Sequence, residues 1–255
     1  LDAQRQKAFR RIFFNLKSIR LHGPEPASLE IEDIDRDEFN NWSAVAVAWG
    51  WTTRVARSCE AAIRMSDNGF DEEAAPLLRS ATEHAMWLWW IRKDGGKVLE
   101  ALQRQQATSL QKLLGAQEIG WTLDSPILDN IDALIGQATR RHAELDAFAH
   151  LSHLAKRYRD DLGNLYQAWL VDTQNSHPTL QSGAAYFKTL ADGQPQGPGF
   201  RLLHKSDSQE HNIAAKAVIM FHVALTAYSA VAGLDDYYLP KLDRVTEQIG
   251  QLSRS

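Results

Sequence analysis

The sequence carries a single cysteine, Cys59, in 255 residues. One thiol closes no internal disulfide and excludes a zinc module built on several cysteines. It fits a reducing compartment. Its neighbour Glu60 disfavours a thiolate, so Cys59 is a poor nucleophile. An excess of one charge is also missing: 28 Lys and Arg stand against 32 Asp and Glu, a net charge of −4. No global positive field attracts nucleic acid, so RNA binding needs a local basic patch, and DNA binding is not expected. A long unbroken apolar run is absent too. The most apolar stretch, 213–234, is interrupted by Lys216, His222, Thr226 and Ser229. It reads as a buried helix, not a membrane span. The opening Leu-Asp-Ala-Gln-Arg-Gln-Lys lacks the apolar core of a signal peptide. These absences together lead us to expect a soluble cytoplasmic protein.

Several chemical templates are missing as well. The glycines of 193–199 are separated by prolines and open no helix, so there is no phosphate-binding glycine loop. No Gly-x-Ser-x-Gly elbow and no His-Glu-x-x-His motif occur. No cofactor is expected.

What is present is helical periodicity, over a 44% apolar share that is large enough to build a core. Phe9, Ile12, Phe13, Leu16 and Ile19 fall at three- and four-residue steps, which predicts an amphipathic helix over 2–21. Gly23-Pro24-Glu25-Pro26 stops it. An acidic segment, Glu30, Glu32, Asp33 and Asp35, precedes a long helix over 36–67, ended by Asn68-Gly69 as a left-handed cap would end it. Asp71 is the expected N-cap of the next helix, which runs to Lys93 and is broken by Asp94-Gly95-Gly96. Helices follow over 97–118, after Asp124-Ser125-Pro126 (carrying Ile127, Ile131, Leu134 and Ile135), and over 144–174. Pro178 interrupts the chain after His177. Two segments, 186–190 and 200–203, flank a Gly/Pro loop and could pair as a small hairpin. A long helix over 208–234 and a short one after Pro240 close the sequence. The expected fold is all-α: one helical bundle of about eight helices. We expect a single domain over 1–255, with an N-terminal helix over 1–22, a core over 36–190 and C-terminal helices over 208–255.

The segment from Pro76 to Ile91 is apolar on nearly every side, so it belongs inside the bundle. Arg79 and Glu83 lie four residues apart on it and share a face. Charges there need partners. They form either an internal polar site or an ion pair that fixes register. Tyr166 and His177 are a second feature. His177 stands at a helix end, where it can exchange a proton near neutral pH or cap the helix as a cation. His142, His150 and His153 come close together; if the stretch is helical, His150 and His153 share a face and Asp146 lies one turn before His150. That geometry could hold a metal, but an exposed polar face explains it better. Trp42, Trp49, Trp51, Trp87, Trp89 and Trp90 are read chiefly as core, with an aromatic ligand pocket as the alternative.

The run from Leu77 to Glu83, then Leu165-Tyr166, then Ser176-His177-Pro178 resembles a family of uncharacterised bacterial all-helical proteins, domain of unknown function 5677. The likeness covers roughly residues 40–190. It implies a helical fold and a convergence of Arg79, Glu83, Tyr166 and His177. Some such families are distantly similar to HEPN helical domains, several of which are ribonucleases marked by an arginine, four to six residues, and a histidine. Arg79 and His84 match that spacing. On a regular helix residues five apart point about 140° from each other, so the two would meet only with help from a second subunit.

Two functions are therefore open. In one, the protein is an enzyme for RNA cleavage or other acid–base chemistry. Arg79 stabilises a developing anion, His177 or His84 moves the proton, Glu83 orients Arg79 and Tyr166 donates a hydrogen bond. In the other it is a homo-oligomeric interaction module, or a binder of a small anionic ligand, whose Arg/Glu cluster is structural. An enzyme requires an accessible cleft at these residues and a basic surface nearby, with Arg54, Arg57, Arg64, Arg92 and Lys93 as the supply.

Overall fold

A computed structural model describes residues 3–26, 35–115, 140–190, 199–206 and 212–254. The expected helix carrying Ile127, Ile131, Leu134 and Ile135 lies outside them, as do Glu30, Glu32, Asp33 and most of the 192–200 loop.

The helices are α1 (Ala3–Leu21), α2 (Arg36–Asp67), α3 (Ala75–Asp94), α4 (Val98–Gly115), α5 (Leu151–Arg157), α6 (Arg159–Ser176), α7 (Leu180–Ala184), α8 (Ile213–Val231) and α9 (Asp235–Arg254). Short 3-10 turns cover Glu72–Ala74 and Ala143–Ala149. The expected hairpin is formed: β1 (Phe187–Leu190) pairs antiparallel with β2 (Gly199–Leu202), with Phe187 opposite Leu202. The fold is all-α with this one small ribbon.

The core is made by α1, α2, α3 and α8, with α9 across one side. Small residues let the helices approach closely: Ala44 and Ala48 on α2, Ala81 and Ala85 on α3, Ala217 and Ala224 on α8 are all buried. Phe13, Leu16, Leu78, Met86, Trp90 and Phe221 fill the space between them. At the sequence-average burial gain, each large side chain contributes on the order of 2 kcal/mol. Among the described residues α8 is long and apolar enough to cross a membrane, with mean hydropathy 1.5, yet 67% of that stretch is buried against its neighbours. It is the central helix of the bundle.

Local signals explain most boundaries. Asp35 caps α2: its side chain accepts from the amides of Asp37 and Glu38, and Glu38 reaches back to the amide of Asp35. Gly69, at φ +79°, supplies the left-handed residue after α2. Gly96 is needed for contact, since a Cβ there would lie 2.4 Å from the Asn40 carbonyl carbon.

Three expectations are corrected. Asp71 does not cap α3; its carboxylate accepts from Ser66 Oγ at 2.5 Å, and α3 begins four residues later, at Ala75, with Pro76 in its first turn. The helix expected over 144–174 is broken at His150 and Tyr158, whose backbones leave the helical region. Asp146 and His150 therefore do not share one regular helix. Pro240 lies inside α9, not before a separate helix, because the helix already starts at Asp235 and proline costs it only one early hydrogen bond.

Candidate functional site

The site forms where α3 and α6 run side by side. Arg79 and Glu83 project from α3 toward α6, with Arg79 Nε 3.3 Å from Glu83 Oε1. Their side chains are 28% and 26% exposed, so the pair is neither sealed in the core nor free on the surface. Pro178 forces the preceding residue out of helical geometry, and His177 takes extended angles (φ −104°, ψ 157°) just after α6. That turn delivers the imidazole to Arg79, whose Nη1 donates to His177 Nε2 at 2.8 Å. The ring then carries its neutral-form proton on Nδ1.

Trp169 joins the group from about two turns before the end of α6. Its indole N–H donates to Glu83 Oε1 at 2.7 Å, and the Arg79 guanidinium lies 5.7 Å from its ring centre. Tyr166 stacks on Trp169, with ring centres 5.6 Å apart and planes 15° from parallel. Arg79, Glu83 and His177 thus converge directly, and Tyr166 joins them through Trp169. Ser176 stays apart and donates to its own helix at Asp172 O.

His84 is not part of this group. It turns toward α2, edge-on to Trp51 at 5.7 Å, and its Nδ1 meets Ser80 O at 2.6 Å. Burial lowers its pKa, and the Ser80 bond opposes that shift. Arg79 and His84 do not meet within one chain, as the helical spacing requires.

A cleft of about 370 Å³ adjoins the group. Its lining includes Glu83 and Trp87 of α3, Gln105 of α4, His150, and Tyr166 and Trp169 of α6. His150 therefore lines this cleft. Asp146 is held by Arg104 at 2.6 Å. Among the described residues no three His, Cys, Asp or Glu side chains gather where an ion could bind. Of the expected basic supply, Arg54 and Arg57 border a shallow depression with Leu77. Arg64 pairs with Glu60, Lys93 pairs with Asp161, and Arg92 lies over Trp89. Cys59 is fully buried, which pushes its thiol up and leaves it inert.

Trp169 and Gln105 line the cleft without being expected there, while Trp87 is one of the tryptophans whose alternative reading is an aromatic ligand pocket. Trp169 lies three residues after Tyr166, a spacing that puts both on one helix face. Trp87 reads as ordinary core, and Gln105 sits in a glutamine-rich helix without distinguishing pattern.

Residues 45–195 match a family described as Family of unknown function (DUF5677). No curated protein and no solved structure matches the chain.

Proposed function

Given that the chain belongs to this family of unknown function, we propose that its Arg79–His177 pair is an acid–base site for an anionic substrate, and that RNA is the substrate class. The observation that carries this reading is the 2.8 Å contact between a guanidinium and an imidazole acceptor, set beside a cleft walled by aromatic rings. A phosphodiester drawn to Arg79 would displace that contact and free His177 Nε2. Nε2 then takes the proton of the ribose 2′-hydroxyl. The 2′-oxygen bonds to phosphorus, the bond to the 5′-oxygen breaks, and that oxygen takes a proton from water. The products are a 2′,3′-cyclic phosphate and a 5′-hydroxyl. Arg79 neutralises the charge that builds on the phosphoryl oxygens, the kind of electrostatic stabilisation that contributes most to such reactions. Glu83, fixed by Trp169, aims Arg79. His177, not His84, is the proton carrier in this scheme.

A second reading is a binding module. Arg79 already bridges Glu83 on its own helix and His177 at the end of α6, so the same contacts could simply lock α3 to α6.

RNA degradation without added metal separates the two. On the first reading wild type cleaves, and folded Arg79→Ala and His177→Ala lose about 100-fold or more. Glu83→Ala is weakened, and His84→Ala is close to wild type. On the second reading nothing cleaves, and Arg79→Ala and Glu83→Ala lower the melting temperature.

A further inference from the structure

One face of the molecule is strongly positive although the chain has a net charge of −4. α1 holds six Lys and Arg residues and no acid. Lys7, Arg10, Arg11, Phe14 and Lys17 fall at three- and four-residue steps, so they share the side of α1 opposite its buried stripe. Arg54, Arg57 and Arg64 share a side of α2 with Gly50 and Ala61 by the same spacing. Arg10 pairs with Asp67, and Lys17 Nζ lies 2.6 Å from Glu60 Oε2. The numbers rise on one helix as they fall on the other, so the two run antiparallel and their outer sides adjoin. That joint surface carries seven cations against two carboxylates, Glu60 and Asp67. The carboxylates are already engaged, because Asp67 holds Arg10 and Glu60 holds both Lys17 and Arg64. Lys7, Arg11, Arg54 and Arg57 are exposed and have no ion pair among the described residues. Arg54 and Arg57 lie three residues apart, where like charges repel. They border the depression of about 420 Å³, whose other α2 residues include the small Gly50, Ser58 and Ala61. Leu77 of α3 closes its edge. Residues two apart on a helix point about 160° from each other, so the depression and Arg79 lie on opposite flanks of α3.

We propose that this α1–α2 face binds the phosphate backbone of single-stranded RNA. Charge complementarity carries the assignment. Four unpaired cations in two adjoining rows match a strand that repeats a negative charge at each nucleotide, and binding releases its counterions. Phe14, 51% exposed among the cations of α1, offers a ring on which a base can stack. An anionic membrane fits less well. A helix that lies in a membrane surface inserts its apolar side, and that side of α1, with Phe9, Ile12, Phe13 and Leu16, is buried in the core. The choice of RNA among polyanions rests on the acid–base reading; the surface and its charge do not.

Fluorescence anisotropy with a labelled single-stranded RNA of about 20 nucleotides tests it, on the His177→Ala protein so that the probe stays intact. Between about 50 and 200 mM salt, the logarithm of the binding constant should fall against that of salt with a slope of about −3, roughly 0.7 for each unpaired cation. The double variants Arg54→Gln, Arg57→Gln and Lys7→Gln, Arg11→Gln should each bind about tenfold more weakly and flatten the slope by about 1.4. All four side chains are exposed, so both variants should fold, which circular dichroism checks. No RNA binding at the lowest salt, an unchanged affinity in either double variant, or binding to phosphatidylserine vesicles without binding to RNA overturns the proposal. The enzymatic reading fails separately. Cleavage of dilute RNA that neither double variant slows sinks this surface alone. RNA binding without cleavage by wild type sinks the acid–base site and leaves the surface standing.

Discussion

Arg20 shows how a single side chain can be placed at a cost. It is 9% exposed at the end of α1, and its guanidinium lies 4.2 Å from the ring centre of Trp49. Thr53 Oγ1 accepts one of its N–H groups, but Nε has no hydrogen-bond partner among the described residues, and the hydroxyls of Tyr228 and Tyr238 beside it have none either. Burial depresses the Arg20 pKa. A buried charge without a counterion is unfavourable. Arg20→Met, which keeps the length and removes the charge, should raise stability by roughly 1 kcal/mol in urea denaturation. A loss of stability would mean that the Thr53 and Trp49 contacts outweigh desolvation. The residues of the candidate site were unevenly legible for a related reason. Arg79 and Glu83 stood out because charges are rare on an apolar helix. His177 stood out because proline follows it. Trp169 did not, because a tryptophan at helical spacing looks the same whether its indole N–H serves the core or a carboxylate.

Among elements, the division between α5 and α6 is the clearest case where local sequence fails. No glycine or proline stands at 157–159 to announce a break. The break is made from a distance by Asp94, the last residue of α3. Its carboxylate accepts from Tyr158 Oη at 2.7 Å, Trp90 Nε1 at 2.9 Å and Arg157 Nη2 at 3.2 Å. Tyr158 leaves helical geometry to reach it, and burial together with that bond pushes the phenol up to about 12. Helix propensity alone would carry the helix through, and a tertiary hydrogen-bond cluster overrides it. Asp94→Ala should cost about 2 kcal/mol, since it strands the buried Trp90 N–H and the half-buried Tyr158 hydroxyl, whereas Arg157 is exposed and keeps its water. Chemical denaturation measures that. An effect under about 0.5 kcal/mol would show that the break is held by packing instead. By contrast α1, α2 and the β1–β2 hairpin were readable, because periodicity and flanking Gly/Pro signals lie within the elements themselves.

For the molecule as a whole, two half-buried histidines set a pH response. Burial lowers the pKa of both His84 and His222. In the unfolded chain each would bind a proton near pH ~6.5. The unfolded state therefore takes up protons first as pH falls, and stability declines below about pH 6.5. The contribution is fully present above that value and is lost as pH drops through the lower folded pKa. The melting temperature should fall between about pH 7 and 5, and the double variant His84→Gln, His222→Gln should flatten the curve across that interval. An unflattened curve would assign the acid sensitivity to the carboxylates, of which Glu60 and Asp161 are held low by basic partners.

The central position of α8 has a consequence for how the chain is made. The helix that α1, α2 and α3 enclose begins at Ile213, beyond the stretch that matches the family. A ribosome delivers the chain from its N-terminus, at about 5–20 residues per second. Until α8 has emerged the enclosing helices wait with their apolar faces open, and no amount of earlier folding can close them. The nascent protein therefore depends on a segment more than 200 residues into the chain to bury what it made first, and a chain released before α8 emerges would be a substrate for chaperones and proteases.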